Sequence, residues 1–423
     1  MKRHPKSTLL AESKLQKLQI TNDCSIATNL PNEILLSIFQ YIKSNDLLFN
    51  VGKVCKRWRR LAQEPRLWRN RSLDDEDMLV NSLDLLALAP RLKRVSLSTE
   101  FHRDKVFKAL LHGEKKLQSL KLSFREGSLS VAQLKELLPA FSQLKHLDLQ
   151  LPSASHDEAL FSAFHPLTEL QSLRLTGFVS PVTELLSSIT THCTSLHTLI
   201  LVDCLIFFRD EHLVALVSDG RPWKSLKLMT YFISEAAYNY FACLKNLEQL
   251  ALIKCKSLTE QNLLQIATLP LLTNLTVTEN CILSSTAIST CLQVQPMACL
   301  LDIDFTVYRA DDDVALAIAT TCTQLVRLRL AMCLVTDEGL RGIILNASKL
   351  QDLDLECNII RGQCLYLIPN HLPNLVRLNL HLCYNVLVNL NEIVARLTRL
   401  KIIDPSGIVI EGRAVKRVHP HIS

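Results

Sequence analysis

The chain has 423 residues and a formal net charge of +6, from 47 Lys and Arg against 41 Asp and Glu, too small a bias to indicate nucleic-acid binding. Its 10 glycines, about 2.4 % against a usual share of about 7 %, argue against the glycine-rich phosphate loops of nucleotide enzymes. Leucine, in contrast, fills 83 positions, which predicts a helical, membrane-spanning or leucine-repeat protein.

The membrane and secretory alternatives find no support in the sequence. No apolar run approaches the roughly 18 to 20 residues that cross a bilayer, since the run at 199–208 is short and contains Asp203. The basic N-terminus lacks the apolar core and cleavage site of a signal peptide. The 14 cysteines, about 3 % of a long chain, fit a reducing compartment. We expect a soluble protein of the cytoplasm or nucleus that binds no membrane.

Residues 26–70 predict a small helical module, which follows a flexible arm at 1–25. Apolar residues from Leu30 to Phe39 repeat at helical spacing, with Pro31 in the first turn, where its missing N–H costs little. Asp46 before two leucines predicts the cap of a second helix. The basic run at 53–60 is interpreted as a solvated helix face rather than a nuclear-localisation or phosphate-binding segment. About forty residues form too small a core to be stable alone, so the module should bury apolar residues against a partner.

This module resembles an F-box. The F-box pattern joins LP-x-E-[IL]-L-x-x-[IL]-F to a D-L-L-like turn, then V-C-[KR]-x-W-x-x-[LI], then L-W. The match is specific but covers only about a tenth of the chain. The residues that carry it are Leu30, Pro31, Glu33, Ile34, Leu35, Ile38, Phe39, Val54, Cys55, Trp58, Leu67 and Trp68.

The motif Leu-x-x-Leu-x-Leu recurs downstream at an average spacing of about 25 residues, which is typical of leucine-rich repeats. Each unit reads as a short strand with inward leucines followed by a helix. Ser130 with Gln133 predicts a capping box, and Thr336 predicts a helix N-cap. Full or looser copies begin at Leu92, Leu117, Leu144, Leu170, Leu196, Trp223, Leu247, Leu272, Leu300, Leu325, Leu350, Leu375 and Leu397.

The predicted fold is therefore α/β: a small N-terminal helical F-box followed by a leucine-rich-repeat solenoid. One strand–helix unit cannot bury its own apolar face, so about 13 units stack, with parallel strands on the concave face and helices on the convex face. The expected boundaries are the F-box at 26–70, a connector and N-terminal cap at 71–91, and the repeats at 92–404. Residues 405–423 either cap the last repeat or trail free.

Cysteine or asparagine recurs three residues after the last strand leucine. In consensus repeats a small polar side chain at this position turns toward the buried backbone of the loop. The sequence contains no C-x-x-C pair, so we expect structural thiols and no metal site. The residues in this register are Cys204, Cys255, Asn280, Cys333, Asn358 and Cys383.

An F-box joined to such repeats is similar to the F-box/leucine-rich-repeat family, and that likeness covers nearly the whole chain. The family resemblance implies a non-catalytic substrate receptor of an SCF-type cullin–RING ubiquitin ligase, whose F-box docks on a Skp-type adaptor and whose repeats hold a protein substrate. An alternative interpretation of Leu61, Phe39 and Trp68 is that they only fill the small core of the module and do not contact the adaptor. The resemblance implies adaptor-binding positions at Leu30, Pro31, Ile34, Leu35, Ile38, Leu47, Val54, Cys55, Trp58 and Leu61.

The outward side of the strands suggests where a substrate would bind. Side chains alternate along a strand, so residues two, four and six after each first leucine point out of the core. These residues are apolar in the middle repeats and alternate in charge later, which predicts either a ladder of lateral ion pairs or a protein-binding surface. The candidate substrate-binding residues are Ile200, Val202, Met229, Ile253, Arg327, Arg329, Asp352, Asp354, Arg377 and His381.

Enzymatic and cofactor functions receive no support. The sequence contains no G-x-S-x-G, H-E-x-x-H, G-x-G-x-x-G or Walker-type string. Asp311, Asp312 and Asp313 predict a helix N-terminus rather than a metal site. We expect no catalytic residue, no cofactor and no nucleic-acid partner. Beside the substrate receptor, the alternative that stays open is a scaffold that binds the adaptor without driving degradation.

Overall fold

A computed structural model describes residues 30–68, 71–73, 92–99, 103–112, 116–124, 128–151, 159–177, 182–202, 208–293, 295–307, 309–412 and 414–417. The predicted arm at 1–25, most of the predicted connector at 71–91, and Cys204 lie outside these ranges. Within them, no helix combines the length and apolar character that crossing a bilayer needs. By its internal contacts the chain divides into two compact units, Met1–Arg125 and Glu126–Ser423.

The first unit begins with a helical module around a small apolar core. Its second helix runs without a break through three segments, of which the middle one is a π-type turn. The helices are α1 (Asn32–Phe39), α2 (Ser44–Asp46, Leu47–Val51 and Gly52–Val54 in succession), α3 (Lys56–Ala62) and α4 (Pro65–Trp68).

The prediction that Asp46 caps the second helix is wrong. Helix α2 begins at Ser44, and the Asp46 carboxylate inside it accepts a hydrogen bond from Asn50 Nδ2 at 2.7 Å. The side-chain cap in this region belongs to α3, where Cys55 has extended backbone and its Sγ accepts from the Trp58 amide at 3.4 Å. A thiol is outside the usual set of capping side chains, which explains why the sequence pattern missed it.

Three parallel strands complete the first unit. Ser72 is the register partner of Arg94, so the segment that follows the helical module pairs directly with the first repeat strand. The first compact unit extends to Arg125 and so contains these strands as well as the helical module. The elements are β1 (Ser72–Leu73), β2 (Arg94–Thr99), α5 (Arg103–Leu111) and β3 (Ser119–Phe124).

The second unit repeats a short strand and a helical connection. Parallel pairing keeps leucine beside leucine, as with Leu147 and Leu173 on one pair of strands and Leu353 and Leu378 on another. The strands are β4 (His146–Gln150), β5 (Ser172–Thr176), β6 (Thr198–Val202), β7 (Ser225–Met229), β8 (Gln249–Ile253), β9 (Asn274–Thr278), β10 (Asp302–Thr306), β11 (Arg327–Arg329), β12 (Asp352–Asp354), β13 (Arg377–Asn379) and β14 (Lys401–Ile403).

Helices cross between these strands, as consecutive parallel strands require. The predicted capping box is confirmed, because Ser130 Oγ accepts from the Gln133 amide and Gln133 Oε1 accepts from the Ser130 amide. The predicted cap at Thr336 is confirmed, as is the helix N-terminus predicted at Asp311 to Asp313, where Asp311 is the N-cap. The α-helices are α6 (Val131–Leu137), α7 (Ala159–Ser162), α8 (Val182–His192), α9 (Asp210–Ser218), α10 (Glu260–Ala267), α11 (Ser285–Leu292), α12 (Asp312–Thr321), α13 (Asp337–Asn346), α14 (Ile368–His371) and α15 (Leu390–Arg396). Shorter 3₁₀ segments occupy Pro139–Phe141, Ala236–Cys243, Gln295–Cys299 and Gln363–Leu367.

The chain reverses direction after the last parallel strand. Strands β15 (Ile408–Glu411) and β16 (Ala414–Arg417) form an antiparallel hairpin, and Glu411 of β15 is the register partner of Lys401 on β14. An unpaired strand edge is a site for unwanted pairing with other chains. The hairpin covers the edge of β14.

The cysteine and asparagine register is buried, as predicted, at its five described members, Cys255, Asn280, Cys333, Asn358 and Cys383. Asn280 Nδ2 donates to the carbonyls of Cys255 at 2.7 Å and Leu258 at 3.0 Å, and its Oδ1 accepts from the Leu283 amide at 2.8 Å. Burial raises the pKa of the Cys255 and Cys333 thiols to about 12. A thiol that stays protonated is chemically inert, so these cysteines are structural.

Each of these inward side chains follows a residue with left-handed backbone. The φ angles of these residues lie between 53° and 62°, a region that costs L-residues with side chains roughly 1 kcal/mol or more. The turn is kept because it directs the next side chain into the loop backbone of the neighbouring repeats. The left-handed residues are Lys254, Glu279, Met332, Cys357 and Leu382.

Helices α12 and α13 approach each other closely at Gly339. A methyl group on Gly339 would lie 3.0 Å from Asp312 Cα and closer still to Asp312 Oδ1. Asp312 cannot yield, because its two carboxylate oxygens accept from the amide and hydroxyl of Thr336 at 2.7 and 2.6 Å. At Gly342 the one close contact of such a methyl group would be with the flexible end of Leu316, at 3.0 Å, while Leu316 Cβ and Cα lie at ordinary contact distances of 3.7 and 3.8 Å.

We expect the substitution Gly339→Ala to lower the free energy of unfolding by about 1–3 kcal/mol through overpacking. The matched control Gly342→Ala should leave it unchanged or raise it by up to about 1 kcal/mol, because alanine is the better helix former. Urea unfolding followed by circular dichroism measures both. Equal effects of the two substitutions would contradict the packing explanation.

His212 joins helices α8 and α9 in its neutral form. Its Nδ1 accepts from the Arg209 amide at 2.9 Å and therefore carries no proton, so Nε2 donates to Thr183 Oγ1 at 3.2 Å. Burial lowers the pKa of His212 from 6.5, opposed by the nearby Glu211 and Glu184. In α10 the equivalent bond is made by Asn262, whose Oδ1 accepts from the backbone amide of the N-cap residue Thr259. An asparagine side chain does not titrate.

A lowered histidine pKa means that the unfolded chain binds the proton first as the pH falls. Stability from His212 is therefore complete above pH 6.5 and decreases on acidification below it. We expect wild type to lose more unfolding free energy than the variant His212→Asn between pH values of about 7.5 and 5.5. Parallel urea titrations at the two pH values measure this difference, and identical pH dependence would refute the role of His212.

Candidate functional site

The helical module exposes aliphatic side chains on α1 and α2. Ile34, Ile38 and Val54 are 48 %, 46 % and 50 % exposed. Ile34 and Ile38 are four residues apart, so they lie on the same side of α1, just after the exposed Pro31. Three half-exposed aliphatic side chains in so short a module are suited to contact with a partner.

Three of the predicted adaptor-binding residues are excluded from this surface. Leu35, Leu47 and Leu61 are 1 %, 0 % and 5 % exposed, because they fill the core of the module itself. They support the surface and do not form it. Of the core residues weighed in the sequence, Trp68 is buried and its Nε1 donates to the Ala62 carbonyl at 2.8 Å.

The other predicted residues have intermediate positions. Leu30, Cys55 and Trp58 are half-buried. The Trp58 ring contacts the buried Phe39 edge to face, with centroids 5.3 Å apart, so it belongs partly to the core and partly to the surface.

Arg57 is a positioning residue that the sequence interpretation missed. Its Nε and Nη2 donate to Asn32 Oδ1 at 3.0 and 2.8 Å, and Nη2 also donates to the Leu30 carbonyl. These bonds hold the start of α1 against α3 and orient the Leu30–Pro31 segment. The interpretation of 53–60 as a solvated face is therefore wrong for Arg57, since a contact across 25 residues leaves no local pattern in the sequence.

The second predicted site is the strand face, meaning the outward side chains of β4 to β14. Its later part carries lateral ion pairs between neighbouring strands, so the predicted ladder is formed. The acidic partners on β10 and β12 are 13–31 % exposed and the arginines 47–56 %, which places the guanidinium groups outermost. The pairs are Arg327–Asp302 at 2.7 Å, Arg329–Asp354 at 3.4 Å and Arg377–Asp352 at 3.6 Å. Beyond the ends of β12 and β13, His381 Nδ1 lies 3.3 Å from Glu356 Oε1, within hydrogen-bond distance.

Burial raises the pKa of two aspartates on the strand face. Desolvation raises the pKa of Asp304, against the hydrogen bond from Thr306 and the charge of Arg329. Desolvation also raises the pKa of Asp352, against the charge of Arg377. Across the described ranges, no group of three or more His, Cys, Asp or Glu side chains is arranged to hold a metal ion.

The predicted apolar middle of the strand face is less continuous than expected. Ile200, Val202, Met229 and Ile253 are all half-buried, and Met229 and Ile253 are register partners. Ile200, however, lies between Arg174 and Lys227 on the neighbouring strands. The structure therefore brings two of the four residues together and separates Ile200 by flanking cations.

Comparison with known proteins identifies the helical module. Residues 27–74 match the family model of the F-box-like domain. The chain is 39 % identical over 56 residues to the putative F-box/LRR-repeat protein 9 of Arabidopsis thaliana, and 32 % identical over 68 residues to the putative F-box/LRR-repeat protein 21 of the same plant. The helical module is therefore an F-box-like domain, and the chain is similar to F-box/LRR-repeat proteins. The matched stretches cover 13 % and 16 % of this chain and only 23 % and 22 % of the two relatives.

Two solved structures align with the chain over a longer span than the sequence relatives do. An internalin (inlF) from Listeria monocytogenes is 16 % identical with a TM-score of 0.41, covering 76 % of this chain and 81 % of the internalin. Rad7, from the yeast Rad7–Elc1 complex, is 15 % identical with a TM-score of 0.45, covering 90 % of this chain and 94 % of Rad7.

The ion-pair ladder of the strand face predicts a stability effect. We expect Arg327→Glu with Arg329→Glu to lower the free energy of unfolding by about 1–2 kcal/mol, because two pairs are lost and like charges become neighbours. The charge-matched control is Arg341→Glu with Arg399→Glu, at exposed positions outside the ladder. Urea unfolding measures both, and equal losses would contradict a specific contribution from the ladder.

Proposed function

We propose that this protein is a substrate-recognition subunit of an SCF-type E3 ubiquitin ligase. Its F-box would dock on a Skp-type adaptor, and its repeats would bind a protein substrate. Partner enzymes would transfer the ubiquitin, and the chain itself would be a non-catalytic adaptor in the cytoplasm or nucleus. The observation that carries the proposal is the exposed aliphatic surface of Ile34, Ile38 and Val54 on a module matched to the F-box-like family.

The physical argument is the burial of this surface. An aliphatic side chain gains about 1.5–3 kcal/mol when fully buried, so completing the burial of three half-exposed chains is a strong driving force for association. The rigid platform beneath them comes from the buried Leu35 and Leu47 and from the bonds of Arg57 to the start of α1. A preorganised surface loses little conformational freedom on binding.

The repeats supply the second half of the proposed function. Their strand face offers Met229 and Ile253 side by side and, further along, guanidinium groups that are more exposed than their acidic partners. Polar and apolar groups held by regular strands form an extended binding surface, which is how stacked repeats commonly bind other proteins.

The adaptor surface is tested by co-purification from cells that express the tagged full-length chain. We expect wild type to recover a Skp-type adaptor and a cullin, and the triple variant Ile34→Ala, Ile38→Ala, Val54→Ala to lose both by at least tenfold, since such anchors cost about 2 kcal/mol or more when truncated. The matched control Ser37→Ala lies on the same helix and should bind like wild type.

A wild-type chain that recovers neither the adaptor nor a cullin would refute the ligase proposal. Recovery of both, without any change in the half-life of co-purifying proteins when the chain is depleted, would favour the scaffold that binds the adaptor without a degradation role.

A further inference from the structure

The charge pattern of the strand face changes at its C-terminal end. On the first outward row, Asp302, Arg327, Asp352 and Arg377 are successive register partners and alternate in sign. The next partner, beside Arg377, is Lys401, a second cation. Like charges on neighbouring strands destabilise a sheet, so a ladder that served stability alone would place an acid there. This pair of adjacent cations is suited to an external anion.

An open cavity of about 570 Å³ lies at this cation pair, within the usual volume range of ligand sites. Its apolar lining includes Val376, Ile403 and Val409. Its charged lining consists of the cations Arg327, Arg377 and Lys401 and the acids Asp352 and Glu411, so the net charge of the lining is +1 (3 − 2). The cavity therefore combines a small positive charge with an aliphatic surface.

The cations are the accessible partners within their ion pairs. Arg377 is 49 % exposed and its partner Asp352 31 %, while Lys401 is 58 % exposed and its partner Glu411 32 %. The Arg377–Asp352 contact is also long, at 3.6 Å. A ligand that approaches the cavity therefore meets positive charge before negative charge.

The length of the cavity indicates an extended chain. Its lining reaches from β11 to β15, which is five neighbouring strands. Four strand spacings of about 4.8 Å give about 19 Å, the length of roughly six extended residues. A chain that spans this distance would run across the cavity, whereas a small anion would leave the valines uncovered.

We propose that this cavity binds an extended protein segment in which an acidic side chain stands beside aliphatic ones. The carboxylate lies between Arg377 and Lys401, and the aliphatic groups cover Val376 and Val409. This inference rests on the proposed function in one respect, since the segment would belong to the substrate. The contact itself uses only the repeats.

The test measures binding of short peptides to the full-length chain by fluorescence anisotropy. The probe is a labelled, amidated hexapeptide, Val-Gly-Glu-Gly-Val-Ser, whose two valines lie on the same side of the extended chain as its Glu. Two comparison peptides carry Gln in place of Glu, one amidated and one with a free C-terminus. We expect the Glu peptide to bind about tenfold more tightly than both Gln peptides, as for a charge-assisted hydrogen bond.

Paired variants keep the net charge of the cavity while they remove one cation. We expect Lys401→Gln with Glu411→Gln, and separately Arg377→Gln with Asp352→Asn, each to weaken the Glu peptide about tenfold. The matched control Arg341→Gln removes an exposed cation that lies outside the strand face and outside the cavity lining, and it should bind like wild type. Circular dichroism checks that each variant is folded.

Several results would overturn the proposal. These are no binding of the Glu peptide at up to about 1 mM, the weak end of the affinity scale, equal binding of the Glu and amidated Gln peptides, or preference for the free C-terminus. Unchanged binding in both folded paired variants would also overturn it. Adaptor recovery is measured separately by co-purification, because the variant Lys401→Gln with Glu411→Gln should still bind the adaptor. Wild type that binds the peptide but recovers no adaptor would refute the ligase proposal alone.

Discussion

The burial of strand leucines against the next strand–helix unit is the constraint on which the repeats depend. Each unit is too small to bury its apolar face alone, so neighbouring leucines such as Leu353 and Leu378 pack side by side along the sheet. The left-handed residues Glu279 and Cys357 follow from the same constraint, because their turns place Asn280 and Asn358 where the loop backbone needs hydrogen bonds. The stack must also end, and the hairpin at β15 and β16 covers the last strand.

The same constraint gives the two alternating sets of side chains on each strand different roles. One set of side chains is committed to the core, and the alternate set is free to vary without loss of the fold. On the strand face the alternate set forms the ion-pair ladder, in which the aspartates are less exposed than the arginines. The ladder and the binding surface, which the sequence presents as alternatives, are compatible, since a pair such as Arg377–Asp352 both joins two strands and leaves the guanidinium half-exposed.

The F-box module follows the opposite principle. It buries Leu35 and Leu47 and leaves Ile34 and Ile38 about half exposed. Its shape depends on contacts between residues distant in sequence, above all from Arg57 to Asn32. The exposed surface is thus built on a core that is complete without the partner, which suits a docking module that meets a folded protein.

The sequence by itself determined the repeat period, the strand and helix alternation, the buried cysteine and asparagine register and the caps at Ser130, Asp311 and Thr336, because each depends on residues close together in the chain. The tertiary structure alone decided which F-box residues are core and which are surface, since Leu35 and Ile34 are equivalent in the pattern. It also decided that Cys55 rather than Asp46 caps a helix, that cations interrupt the apolar middle at Ile200, and that Lys401 lies beside Arg377 over a cavity. Those outcomes depend on register between strands and on packing between distant segments, which no local pattern encodes.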